Sequence, residues 1–168
     1  MRLFNRNLLI PRMLAVILVG TVYASKPGLG KPAPNFTLMG LNSNDSVTLS
    51  SFQGKVVLLD FWASWCLPCK RLMPLLGEMK ERLPELEMLA VSIDVDRNKA
   101  ISFLRDVEPG LKAGHDADQK TAEKYNVELM PACFLIDKQG RLRFRHDSYT
   151  AETLKRIERE AKLLLAEP

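Results

Sequence analysis

Two cysteines three residues apart, Cys66 and Cys69, stand where a continuous apolar run gives way to a helical pattern. The run Lys55-Val56-Val57-Leu58-Leu59-Asp60-Phe61-Trp62 has the character of a strand covered on both faces. From Cys66 to about Leu83, apolar residues recur at Leu72, Leu75, Leu76, Met79 and Leu83, the spacing of a helix with one buried side. A buried strand feeding directly into such a helix confines the chain to a sheet with helices packed against it. In those architectures, sites lie beyond the C-terminal ends of central strands, and the cysteine pair falls at such an end.

The remaining elements fit the same plan. Phe36-Thr37-Leu38-Met39 and Val47-Thr48-Leu49 predict an N-terminal hairpin through the polar turn Asn42-Ser43-Asn44-Asp45, followed by a turn over 50–54 with at most one helical turn. Residues 88–93 predict a second buried strand, 98–107 a short helix capped by Asp96 or Asn98, and 118–125 another short helix. Strands over 132–136 and 142–145 are joined by Asp137-Lys138-Gln139-Gly140, a strong hairpin turn. The final helix, 152–165, carries Leu154, Ile157, Ala161 and Leu164 on one face, with Glu158 and Lys162 as an exposed pair one turn apart. Pro74 should kink the helix that follows the cysteines and free one carbonyl. The pattern predicts an α/β fold whose central mixed sheet is parallel in the middle and antiparallel at one edge, with helices on both faces.

The first 24 residues differ from the rest. Arg2 and Arg6 precede an apolar run from Met13 to Tyr23, and Val22-Tyr23-Ala24 offers a cleavage site before Ser25. That is the layout of a secretory signal. The competing reading is an uncleaved N-terminal anchor, although a spanning helix needs roughly 20 apolar residues and this run meets Pro11 and Arg12 when extended backwards. The expected division is a signal peptide or anchor at 1–24, a linker rich in Gly, Pro and Lys at 25–34, and one domain at 35–168. The chain carries +4 overall, but three of its basic residues lie in the leader, leaving 21 basic against 20 acidic. No basic face remains for neutralising phosphates, so a nucleic-acid partner is not expected.

Cysteines at this spacing and position suit reversible disulfide exchange. A thiol at a helix start faces unpaired backbone N–H groups and the positive end of the helix dipole, which favour the thiolate. Cys66 is then the exposed nucleophile and Cys69 the more buried resolving thiol, with Pro68 fixing the backbone between them. Three cysteines are too few for a disulfide framework. A zinc site would need further ligands, and the only histidines, His115 and His146, are isolated from each other. No metal or cofactor is expected. Trp62 and Trp65 read as packing residues, and Cys133 as a small buried hydrophobe in preference to a third redox thiol.

The segment Val57-Leu58-Leu59-Asp60-Phe61-Trp62-Ala63-Ser64-Trp65-Cys66-Leu67-Pro68-Cys69-Lys70 resembles the active-site stretch of the thioredoxin superfamily. Gly30 to Leu38 and Leu49 to Lys55 are similar to the redoxin branch, specifically the exported TlpA/ResA-type thiol–disulfide oxidoreductases. Met130-Pro131-Ala132-Cys133-Phe134-Leu135-Ile136-Asp137 resembles that family's segment around a cis proline. The similarity spans about residues 29–165. It implies a thioredoxin-like fold with an N-terminal β-hairpin extension, and Cys66 and Cys69 as the redox-active disulfide. It further implies partner contact through Trp65, Pro68, Met130 and a cis Pro131, and a buried carboxylate, Asp60, accepting the Cys69 proton. The implied partners are proteins bearing disulfides or dithiols, with a membrane thiol carrier as electron donor. The implied protein is a monomer working as a reductase outside the cytoplasm, in the periplasm or its equivalent.

Three departures qualify the resemblance. Where many TlpA/ResA-type proteins carry a Glu shortly after the second cysteine, this chain has Leu72, and the thioredoxin Lys beside the buried Asp is replaced by Ala90. Both weaken an assignment to cytochrome c maturation. Cys133 occupies a position usually held by a small hydroxyl residue. Two other functions on related folds are a thiol peroxidase and a copper-handling protein. The first needs a Pro-x-x-x-Thr-x-x-Cys pattern, absent around Cys66, and the second a Cys-x-x-x-Cys spacing with a distal His.

Overall fold

The computed structural model of the chain describes residues 28–43, 45–108 and 110–168; the leader at 1–24 and the start of the linker lie outside them. In chain order the elements are β1 (Thr37–Gly40), β2 (Ser46–Thr48), a 3-10 turn (Leu49–Phe52), β3 (Val57–Trp62), α1 (Leu67–Arg82), β4 (Glu87–Ser92), α2 (Arg97–Val107), β5 (Lys112–His115), α3 (Lys120–Lys124), β6 (Ala132–Ile136), β7 (Leu142–His146) and α4 (Ala151–Ala166). They form one seven-stranded sheet in the order β2-β1-β5-β4-β3-β6-β7, with the thioredoxin-like arrangement that the sequence implied.

All six residues of β3 are buried, and the alternation along it separates two cores. Val57, Leu59 and Phe61 face one side, with Phe36, Phe52, Tyr125 and Phe134. Leu58 and Trp62 face the other, where Leu72, Met73 and Leu76 of α1, Ala100 and Leu104 of α2, and Ile157, Ala161 and Leu164 of α4 pack. Three helices therefore cover one face; α3 and the 3-10 turn cover the other, joined there by Phe36 and Val47. Asp60 belongs by alternation to the face under α1, the one ionisable residue in an otherwise apolar strand.

The sheet departs from expectation at one point. β3, β4 and β5 are parallel, but β1 runs antiparallel to β5, and β6 and β7 continue antiparallel on the opposite side. Antiparallel strands thus flank the parallel centre at both edges, not at one. The element responsible is β5, Lys-Ala-Gly-His, which lacks the β-branched residues that mark strands. Gly114 suits its place there, because a Cβ would lie 3.0 Å from the Leu38 side chain.

Two smaller features bear on the reading of the sequence. Asp96 supplies the α2 cap, accepting from the Asn98 N–H at 2.9 Å, and α1 continues through Pro74. Residues 28–34, read as linker, are tied to the β6–β7 hairpin: Ala33 N–H donates to the Gly140 carbonyl at 2.9 Å and Leu142 N–H to that of Lys31 at 2.9 Å. Gly140, at φ +74°, closes the turn between those strands.

Candidate active site at the start of α1

Cys66 and Cys69 form a disulfide, with Cα atoms 5.3 Å apart. Cys66 is the N-cap of α1, and its sulfur accepts the Cys69 N–H at 3.2 Å. A sulfur in that position lies against the helix's unpaired N–H groups, where negative charge is favoured. Pro68 sits in the first turn, where its missing N–H costs no helical bond. Cys66 is 5% exposed and Cys69 fully buried. The expected order of access holds, but Cys66 is itself a buried residue and only slightly more open than Cys69.

On β3, six residues before Cys66, Asp60 is 2% exposed and sits between Ala90 on β4 and Cys133 on β6. Ala90 brings no cation, so burial dominates and pushes the Asp60 carboxyl from 3.8 up to about 7. The opposing influence is a hydrogen bond: the Cys133 thiol donates to Asp60 Oδ1 at 3.1 Å. The second carboxyl oxygen, Oδ2, is buried without a partner among the described residues. Burial and the neighbouring Asp60 charge push the Cys133 thiol well above its ordinary range, so it stays a protonated donor. Cys133 is thus buried, as read, but it is a polar partner of Asp60 and not simply a small hydrophobe.

The loop into Cys66 is held from below. Asp94, just past the end of β4, accepts from the Ser64 N–H at 2.8 Å, the Ser64 hydroxyl at 2.7 Å and the Ser92 hydroxyl at 2.9 Å. His115 Nε2 in turn donates to the Asp94 carbonyl at 2.7 Å. Trp65 follows Ser64, and it corrects the packing assignment: Trp62 is fully buried and stacks on Phe103 with ring centroids 4.9 Å apart, whereas Trp65 is 69% exposed. Leu67, Val95 and Leu129 are exposed large apolar residues as well, all in segments leaving the same end of the sheet.

The β3–β6 register sets Phe61 opposite Ala132, which brings Met130 and Pro131 to the end of the sheet where the chain leaves for Cys66. The Met130–Pro131 peptide bond is cis; Pro131 is buried, and Met130 half-buried. The candidate residues Trp65, Cys66, Pro68, Cys69, Met130 and Pro131 therefore lie at one end of the sheet, with Asp60 inside β3, two residues before its end. Those missed in the sequence, Ser64, Asp94 and the Cys133–Asp60 bond, are polar groups at strand ends or on one pleat. Only the Ile93-Asp94-Val95-Asp96 segment beyond a buried strand could have signalled one of them.

A family described as AhpC/TSA matches residues 29–145. Among similar proteins, the thiol-disulfide oxidoreductase ResA of Bacillus cereus is 31% identical over 119 residues, covering 70% of this chain and 68% of that protein. ResA of Bacillus subtilis is 29% identical over 148 residues, covering 84% and 82%. A structure from Chlorobium tepidum, assigned as a thiol:disulfide interchange protein DsbE, superposes with a TM-score of 0.79 at 32% identity, covering 83% of this chain and 99% of that one. A secreted disulfide oxidoreductase of Mycobacterium tuberculosis superposes with a TM-score of 0.68 at 25% identity, over 77% and 96%. The chain belongs to the AhpC/TSA family and, within it, is a thiol–disulfide oxidoreductase of the ResA kind.

Proposed function

We propose that the protein is exported and exchanges its Cys66–Cys69 disulfide with cysteines of partner proteins, working as a reductase. The observation that supports the site assignment is a disulfide capping α1 in which Cys66, 5% exposed, is the more open residue and Cys69 is fully buried. Export is supported by the leader pattern at 1–24 and by the secreted relative from Mycobacterium tuberculosis.

In the reducing direction, the Cys66 thiolate attacks one sulfur of a partner disulfide, and the other partner sulfur leaves as a thiolate. Cys69 then gives up its proton and attacks Cys66. The Cys66–Cys69 bond forms, the bond to the partner breaks, and the partner's second sulfur leaves reduced. Two electrons have passed from the chain to the partner. Asp60 is the proton acceptor in this reading, because an acid held near neutrality can both take and release a proton at working pH. Trp65, Pro68 and Met130 form the partner's contact surface, with Pro131 beneath. Restoring the dithiol takes a donor of two electrons, and outside the cytoplasm that role falls to a membrane thiol carrier. The protein acts as a monomer.

A redox titration of the mature domain tests the reading, with Cys66→Ser and Cys69→Ser as controls. Wild type should show one reversible two-electron couple, and Cys69→Ser should trap a mixed disulfide through Cys66. Absence of either sinks it. Consumption of hydrogen peroxide at a rate exceeding disulfide exchange would favour a thiol peroxidase. Binding of Cu(I) by the reduced pair without exchange would favour a copper-handling role.

A further inference from the structure

We propose that Cys133 is a positioning residue for the exchange reaction: its thiol anchors Asp60 Oδ1, leaves Oδ2 as the open acceptor, and sets the pH range in which Cys69 is deprotonated. The proposal rests on Asp60 being the proton acceptor, and it adds a residue that the activity itself does not name.

The geometry argues for it in three steps. Cys133 and Asp60 are register partners on adjacent strands, so their side chains leave the sheet on the same face, side by side. The thiol donates to Oδ1 at 3.1 Å, while Oδ2 is buried with no partner among the described residues. A carboxylate with one oxygen tied and the other open presents a single place for an incoming proton. The same face holds Cys69 in its apolar core, together with Cys133.

Among the described residues, Cys133 is the one that hydrogen-bonds the Asp60 side chain; Trp62 Nε1, two residues further along the same face of β3, is buried without a partner among them. On β4 the register partner of Asp60 is Ala90, and beyond it on β5 comes Ala113. The buried residues of α1 are Cys69, Leu72, Met73, Leu76 and Met79, and those of α2 are Ala100 and Leu104. On β7, His146 is the register partner of Cys133, but its Nε2 is engaged with Glu160 of α4 at 2.6 Å. At the strand ends, His115 is bonded to the Asp94 carbonyl, and the Asp94 carboxylate is filled by Ser64 and Ser92. Asp147, next along from His146, is bonded to Arg145. The hydrogen bond from Cys133 favours the ionised carboxylate against burial, and the thiol itself remains protonated throughout.

During resolution the Cys69 S–H bond breaks and an Oδ2–H bond forms on Asp60. The Cys69–Cys66 bond then forms as the Cys66–partner bond breaks. The Cys133 S–H neither breaks nor transfers; it holds Oδ1 before and after.

The test uses Cys133→Ala and Cys133→Ser with two readouts. One is the midpoint of Asp60, followed by carbon NMR of its carboxyl in the oxidised protein. The other is the rate of the second thiol released when reduced protein meets an aromatic disulfide whose thiol is coloured, measured against pH. Loss of one buried hydrogen bond should move the Asp60 midpoint up by roughly half to one pH unit, and Cys133→Ala should slow resolution about three- to tenfold at pH 6. Cys133→Ser keeps a donor and should restore both. An unmoved Asp60 midpoint in Cys133→Ala, or a serine variant that behaves like alanine, overturns the proposal. Asp60→Asn serves as the control: if resolution is not slowed there, it is the proton-acceptor reading that fails, while the Asp60 midpoint still decides the Cys133 bond.

Discussion

Asp94 grips Ser64 twice, taking its backbone N–H at 2.8 Å and its hydroxyl at 2.7 Å, and so fixes the three-residue loop that carries β3 into Cys66. The side chain is 3% exposed, which makes these bonds expensive to lose. Asp94→Ala should destabilise the oxidised protein by about 2–4 kcal/mol, since three donors are left unpaired. Asp94→Asn keeps one acceptor oxygen and should cost less. Chemical denaturation of both variants checks the order. The same alanine variant should slow attack by Cys66 on protein disulfides, because the sulfur's position at the helix start depends on that loop. Equal stability of the alanine variant and wild type would show that the grip is incidental.

Asp60 gives stability a pH dependence whose sign follows from burial. Its carboxyl titrates at about 7 in the folded chain against 3.8 unfolded, so between those values the folded state holds a proton that the unfolded state has lost. Stability from this group is full below pH 3.8 and declines as pH rises through 7. Once ionised in both states, the buried carboxylate costs up to about 4 kcal/mol. Asp60→Asn should therefore be more stable than wild type at pH 8, with the gap closing towards pH 4. Urea unfolding at several pH values measures it; a gap that does not change with pH removes Asp60 as the cause.

These two residues also mark how far the sequence could be read. β3, α1, β4 and the β6–β7 hairpin were legible because each carries its period or its turn chemistry locally, and the disulfide because both partners lie within one turn. What stayed hidden depends on register. Cys133 reaches Asp60 across 73 positions of sequence, and only the antiparallel pairing of β3 with β6 sets them opposite one another. Asp94 meets Ser64 across 30 positions for the same reason. β5 was invisible because neighbours on both sides supply its burial, so it needs no apolar residues beyond Ala113. Its absence from the expected pattern is why the sheet's second antiparallel edge was not foreseen.

The apolar rim supports a prediction about partner choice. Trp65, Leu67, Val95 and Leu129 are between 64% and 78% exposed, and the Asp94–Ser64 bonds bring the loops of Val95 and Trp65 together. Exposed apolar side chains clustered at one place mark an interaction surface. Trp65→Ala should lower the second-order rate with a disulfide-bearing protein roughly tenfold, the usual loss for an aromatic anchor. Exchange with a small soluble disulfide should change less than about twofold, since the chemistry at Cys66 is untouched. Val95→Asp should act in the same direction. Equal loss with both substrates would mean that Trp65 supports the sulfur itself and not the partner.

The three thiols of the reduced protein should separate by reactivity. Cys66 caps the helix N-terminus, which favours a thiolate, and at 5% exposed it is the most open of the three. Cys69 has the helix but no surface, and Cys133 is 1% exposed, with its thiol pushed up by burial and by Asp60. Brief iodoacetamide treatment at neutral pH should modify Cys66 first, and Cys69 at least ~10-fold more slowly. Cys133 should stay unmodified until denaturant is added. Mass spectrometry of digested protein gives the order directly. Because Cys133 reacts only on opening of the β6 strand, its labelling rate in rising urea should track global unfolding. Early labelling of Cys133 in native protein would mean that the sheet opens around Asp60, and the buried acid could not then be held near neutrality.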